Sequence, residues 1–190
     1  MTRGTLFLVV GPSGAGKDTL IHAARAALGD SAVVFARRVI TRRAGDPNED
    51  FEPVRRDDFA ARKAAGDFML CWRAHGTDYA IPTRYRSDLD VGRSVVANVS
   101  RGVIEDAAGR LAPVRVIEVT ASPAVLARRL AARGRDDAVS IAERLRREVP
   151  IPPGVPLVRI VNDGALDDAV RAFIAALDAP SPPVGRGGSG

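Results

Sequence analysis

Apolar residues along this chain fall into two recurring patterns. Residues 5–10, 33–37, 94–99, 114–119 and 157–161 are short, Val-rich and apolar at consecutive positions. Strands covered on both faces read this way, because neither face needs polar side chains. Between them lie stretches with helical spacing. Residues 19–28 form one such run, and residues 124–132 another, with Ser122 as its cap and Pro123 in its first turn. Residues 139–148 set Ile141, Ala142 and Leu145 against charges on the other side, and residues 165–177 repeat Leu166, Val170, Phe173 and Leu177. Strand and helix alternate, which predicts an α/β fold: a five-stranded, mostly parallel sheet flanked by helices.

Residues 40–90 break this rhythm with mixed polar, Pro and Gly signals. The interval is too long for one crossover and reads as an insertion that holds a second ligand. Arg133, Gly134, Arg135, Asp136 and Asp137 make a short Arg-rich link between two helices, and residues 133–140 are expected to act as a lid. Residues 179–190 are Pro, Gly and Ser with little else and are expected to be disordered. Residues 1–178 then form a single domain.

Composition narrows the class. At 190 residues and 46% hydrophobic, the chain can bury a full core. A single cysteine, Cys71, excludes a disulfide framework and points to a reducing compartment. No apolar run approaches the roughly 18 residues of a membrane span, and the chain enters its first strand without a signal-peptide layout. A cytoplasmic, membrane-free protein is expected, and a homodimer is left open. The net charge of +5, from 28 Lys+Arg against 23 Asp+Glu, raises nucleic-acid binding. With only 5% aromatics, nothing interleaves basic and stacking side chains. The charge is nearly all Arg, whose planar fork suits a phosphate-rich small molecule. No nucleic-acid partner is therefore expected.

The most specific chemistry lies at Gly11, Pro12, Ser13, Gly14, Ala15, Gly16 and Lys17, between the first strand and the first helix. Glycines let backbone N–H groups turn inward around an anion, and the helix N-terminus adds partial positive charge. The chain has 18 glycines and two lysines, Lys17 and Lys63. Chance gives about 0.02 copies of the G-x-x-x-x-G-K pattern in such a chain. This is a phosphate-binding loop, with Lys17 placed to bridge the β- and γ-phosphates of a nucleotide. After the Lys, the pattern normally has Ser or Thr to hold Mg²⁺. Here Asp18 stands in that place, followed by Thr19. The third strand, where such kinases usually keep an acid, offers Asn98 instead. Asp18 is therefore the expected Mg²⁺ ligand, directly or through water.

With these motifs in place, the chain resembles the guanylate-kinase-like branch of P-loop kinases over residues 4–178. The resemblance rests on the loop and on Ile40-Thr41-Arg42. It also rests on Ala74-His75-Gly76 with Tyr79, on Arg129-Leu130, Arg133-Gly134 and Arg144-Leu145, and on Val161-Asn162-Asp163. It implies a P-loop kinase fold with ATP on the loop. Arg129, Arg133 and Arg144 then resemble the lid arginines that neutralise the transferring phosphoryl group. Asn162 is implied beside the adenine, and Arg42 and Tyr79 on the acceptor phosphate.

Within that branch, guanylate kinases hold guanine with a Glu before the Trp position and a Ser or Thr after the Tyr-Gly pair. Those positions are Cys71 and Ile81 here, and neither pairs with a guanine edge. The second phosphate-holding Arg of guanylate kinases is replaced by Gly45. The pattern is more similar to ribose 1,5-bisphosphate phosphokinases, associated with phosphonate degradation and 5-phosphoribosyl diphosphate formation. Shared with that family are Asp18 after the loop Lys, the acidic pair Glu49-Asp50, Trp72 before the Ala74–Tyr79 element, and Asn98-Val99-Ser100-Arg101. Arg43 departs, standing where that family has Pro. The resemblance implies substrate contacts from Arg42, Glu49, Trp72, His75, Tyr79, Asn98 and Arg101, with ATP and Mg²⁺ as cofactors. The implied reaction is in-line transfer of the γ-phosphoryl group to an already ionised phosphate, which needs positioning and charge neutralisation more than a base. Two readings compete with it. One is a nucleoside-monophosphate kinase. The other is an inactive binding module, which should have lost Lys17 and the lid arginines.

Overall fold

The computed structural model describes residues 2–29, 33–42, 50–74, 76–132 and 149–178. In chain order the described elements begin β1 (Leu6–Val10), α1 (Lys17–Leu28), β2 (Val33–Phe35), β3 (Arg38–Ile40) and β4 (Phe51–Pro53). Next come α2 (Arg56–Ala64), β5 (Phe68–Ala74), β6 (Thr77–Pro82), α3 (Tyr85–Asp90) and β7 (Ser94–Asn98). A 3₁₀ turn (Arg101–Val103) leads to α4 (Ile104–Leu111), β8 (Val114–Thr120), α5 (Pro123–Ala132), β9 (Leu157–Val161) and α6 (Leu166–Asp178).

Strands β2, β7, β1, β8 and β9 form one sheet in that order, and every neighbouring pair is parallel. All five expected strands are present, and the kinase-type architecture holds. Alternation along β1 explains the consecutive apolar run. Leu6, Leu8 and Val10 face one layer, whose core includes Leu89, Ile104 and Leu111. Phe7 and Val9 face the other, with Leu20 and Ala24 of α1 and Phe173 and Leu177 of α6. Each fully buried Leu or Phe of this kind contributes about 1.5–3 kcal/mol.

The sequence signals for element ends hold to within two residues. α1 starts at Lys17 rather than residue 19, because Gly16 sits left-handed at the cap (φ 86°) and its carbonyl accepts the first helical bond, from Leu20 N–H. Ser122 caps α5 as expected, its Oγ accepting from Val125 N–H. The expected helix over residues 139–148, the lid over 133–140 and the tail over 179–190 lie outside the described residues.

The chain leaves the first sheet at Arg37, whose N–H donates to the Tyr85 hydroxyl at 2.8 Å. It then enters a second sheet of order β4-β3-β6-β5. Here β3 pairs parallel with β4 and antiparallel with β6, and β5 and β6 form an antiparallel hairpin. Met69, Leu70, Trp72 and Ile81 pack from its inner face onto the core of the first sheet. Val39, Phe59, Phe68, Cys71 and Ala80 form a separate small cluster on its other face.

Candidate active site

The phosphate-binding loop runs from Gly11 to Gly16 between β1 and α1. Two of its glycines are obligatory on different grounds. A Cβ on Gly11 would lie 1.9 Å from the Val119 carbonyl, so only the bare backbone passes β8. At Gly16, φ is +86° and a Cβ would meet Asn162 Nδ2 at 2.6 Å. Gly14 and Ala15 are buried, whereas Pro12 is half-buried and Ser13 and Thr19 are exposed. Lys17 folds back over the loop, Nζ donating to the Gly11 carbonyl at 2.7 Å and the Pro12 carbonyl at 2.9 Å. Its ammonium thus sits inside the turn that the backbone makes for an anion.

Two side chains from the far edge of the sheet fix the loop's shape. Asn162, buried just past β9, donates Nδ2 to the Ala15 carbonyl at 2.8 Å. Arg129 of α5 donates to the Asn162 carbonyl at 2.9 Å and reaches the Gly14 and Ala15 carbonyls at 3.4 and 3.5 Å. Asp163 accepts from Ser122 N–H and ties α5 to the same corner. Both Asn162 and Arg129 are therefore brought to the loop, by contacts with its backbone.

At the loop's other end, Asp18 and Asn98 meet although they are 80 residues apart. Asn98 Nδ2 donates to Asp18 Oδ1 at 2.7 Å. Arg38 donates to the same oxygen at 3.1 Å. The register explains Arg38. Ile40 pairs with Tyr79, and Tyr79 with Trp72, so position 38 shares their face of the second sheet. Trp72 and Tyr79 stack with ring centroids 5.4 Å apart and 5° between planes. Arg38 is not among the residues the sequence patterns single out; its alternation with Ile40 was the available signal.

Arg101 begins the 3₁₀ turn after β7 and donates to Glu118 Oε1 at 2.6 Å. Glu118, 8% exposed, also accepts from Arg159 at 2.6 Å. Arg42 lies over the Phe51 ring, 5.0 Å from its centroid, and lines a hollow with Arg55 and Arg56 at the start of α2. Glu49, His75, Arg133 and Arg144 lie outside the described residues.

The two positions that would read a guanine edge carry no suitable polar group. Ile81 is fully buried in the core beneath the second sheet. Cys71 pairs with Ala80 and so points to the opposite face, half-buried beside Val39 and Phe59. Burial pushes its thiol above the usual range.

Among the described residues, no three His, Cys, Asp or Glu gather as a ready-made metal cage. Mg²⁺ is commonly held by one or two carboxylates with phosphate oxygens and water completing the shell. Asp18, at the loop and 42% exposed, fits that role as a single protein carboxylate.

No family model matches the chain. A ribose 1,5-bisphosphate phosphokinase PhnN from Acidiphilium cryptum is 54% identical over 175 residues, 92% of this chain and 92% of that protein. A bifunctional ribose 1,5-bisphosphokinase-thymidine phosphorylase from Cupriavidus pinatubonensis is 50% identical over 175 residues, but the chain spans only 29% of its length. Among solved structures, guanylate kinase from Anaplasma phagocytophilum superimposes with a TM-score of 0.68 at 18% identity, covering 93% of this chain and 85% of that one. That likeness carries the fold, and the sequence likeness carries the family. The chain belongs to the ribose 1,5-bisphosphate phosphokinase family.

Proposed function

We propose that this protein transfers the γ-phosphoryl group of ATP to the C1 phosphate of ribose 1,5-bisphosphate, giving 5-phosphoribosyl 1-diphosphate and ADP. A bond forms between the γ-phosphorus and an oxygen of the acceptor phosphate, and the bond to the β–γ bridging oxygen breaks. The acceptor is ionised at neutral pH, so the protein supplies position and charge rather than a base. Lys17 exchanges its loop carbonyls for the β- and γ-phosphates. Arg129 and Asn162 hold the loop in the shape the nucleotide needs. Asp18 would hold Mg²⁺, which when bound neutralises phosphate charge. Arg101 and the Trp72–Tyr79 face are assigned to the acceptor, as are Arg42 and the lid arginines Arg133 and Arg144. The single cysteine accords with a cytoplasmic site of action.

One observation carries the choice of acceptor. An intact phosphate loop with its Lys17 stands beside a second sheet whose base-reading positions, Cys71 and Ile81, are apolar and turned to opposite faces. A base bound there would leave its polar edge unpaired, at a cost of about 1–3 kcal/mol per group. The test is ³¹P NMR of the purified protein with Mg·ATP, run in parallel on ribose 1,5-bisphosphate and GMP. Diphosphate and ADP signals with the sugar alone are expected; transfer to GMP alone would reverse the assignment.

A further inference from the structure

One side of α1 lines a shallow, open cleft together with residues 35–38 and Asp50. Asp18, His22 and Arg25 form one wall, spaced three to four residues apart on a single helix face. Arg37 and Arg38 form the other, and Asp50 also lines it. From Asp18 to Arg25 the helix rises about 10 Å at 1.5 Å per residue. The cleft therefore has two ends. Arg38 stands at the loop end, against Asp18. Arg25 and Arg37 stand at the far end and share one carboxylate, Asp50, at 3.2 and 2.7 Å. Arg37 is further anchored by donating to the Phe51 carbonyl at 2.9 Å.

This is an arrangement for a ligand with an anion at each end. A nucleoside monophosphate brings one phosphate and an uncharged base. A bisphosphorylated sugar brings two dianions. The pairs made by Asp50 are half exposed, at 58%, 49% and 54% for Arg25, Arg37 and Asp50. Ion pairs this open are held weakly. A phosphate engages guanidinium groups by shorter, two-point, charge-assisted bonds and so displaces the carboxylate.

We infer that the Arg25–Arg37 end of this cleft binds the phosphate of the acceptor that does not react, the C5 phosphate, with Asp50 as its exchangeable counterion. The inference rests on the kinase reading and deepens it, because it says where the end of the acceptor away from the reacting phosphate is held. Steady-state kinetics of Arg25→Ala and Arg37→Ala test it. Each should raise the KM for ribose 1,5-bisphosphate by about tenfold, an effect the KM for ATP does not share. The loss should be larger on ribose 1,5-bisphosphate than on ribose 1-phosphate, which lacks the C5 group. Asp50→Asn should lower the acceptor KM. Unchanged acceptor KM, or equal losses on both acceptors, would overturn the subsite. Calorimetric titration with ribose 5-phosphate separates the two claims, since it needs no turnover. Binding that depends on Arg25 and Arg37, in a protein that fails to phosphorylate the bisphosphate, keeps the subsite and removes the kinase reading. Turnover with ribose 5-phosphate binding indifferent to both arginines does the reverse.

Discussion

Asn162 donates its side-chain amide to the Ala15 carbonyl at 2.8 Å, tying the end of β9 to the phosphate-binding loop across 147 residues of sequence. The same amide nitrogen is what a Cβ on Gly16 would strike. The loop is thus shaped by a side chain that no loop motif contains, and its glycine is required by that neighbour as well as by its own φ of +86°.

Removing either half of this relationship should loosen ATP binding. Asn162→Ala removes the short bond to the buried Ala15 carbonyl and leaves it only the 3.5 Å contact from Arg129, a loss of about 1–3 kcal/mol. Its Kd for a non-hydrolysable ATP analogue should rise about tenfold, the equivalent of about 1.4 kcal/mol. Gly16→Ala should do worse, because the backbone strain and the clash act together. Titration calorimetry on both variants checks this, and a Gly16→Ala protein that binds the analogue like wild type would sink it.

Asp18 carries the metal prediction. Its Oδ1 is occupied by Asn98 and Arg38, which hold the carboxylate in place. Asp18→Ala should raise the Mg²⁺ concentration needed for half-maximal turnover by at least about tenfold. A Mg²⁺ titration of the initial rate reads this directly. Full turnover at wild-type Mg²⁺ would take Asp18 out of the metal site.

The first sheet was legible because its strands are buried on both faces: Leu6 to Val10 can be nothing but a covered strand. The loop was legible because Gly11, Gly16 and Lys17 are a local pattern. The second sheet was not. Its strands β3 and β4 are three residues each, and β3 opens with a charged Arg38. Helix α2 buries only Phe59 among strongly polar neighbours, so it shows no apolar stripe. Contacts made by distant segments were equally hidden. Arg38 on Asp18 and Glu118 between Arg101 and Arg159 exist only once the sheets are assembled.

Cys71 should react slowly with thiol reagents. Burial is the leading cause of its raised pKa, outweighing the pull of Lys63 and Arg110. Only the thiolate attacks, so its rate with DTNB should stay below that of a free thiol at pH 8 and keep climbing past the ordinary thiol pKa of about 8.5. The same shift links to stability. Above about pH 8.5 the unfolded chain loses the thiol proton while the folded protein keeps it, so this contribution is present below that pH and fades as pH rises through the folded value. Cys71→Ser should remove that part of the alkaline decline in urea midpoints. A thiol titrating at the ordinary value would refute both statements.

Among the described carboxylates, Glu118 should be the costliest to remove. Its side chain is 8% exposed, and Arg101 beside it is 13% exposed, whereas Arg159 on its other oxygen is 62% exposed. Taking one member from a buried pair costs about 3–5 kcal/mol, because the remaining charge keeps its desolvation penalty. Opening an exposed pair costs about 1 kcal/mol or less. Urea unfolding should therefore rank Glu118→Ala far below Arg159→Ala, although both break a 2.6 Å contact to the same carboxylate. Since Arg101 is assigned to the acceptor, Glu118→Gln, which keeps the shape but not the charge, should also raise the KM for the phosphosugar and spare that for ATP. Equal stabilities for Glu118→Ala and Arg159→Ala would mean that the Glu118–Arg101 pair is solvated in solution, and the link from β8 to the acceptor site would fall with it.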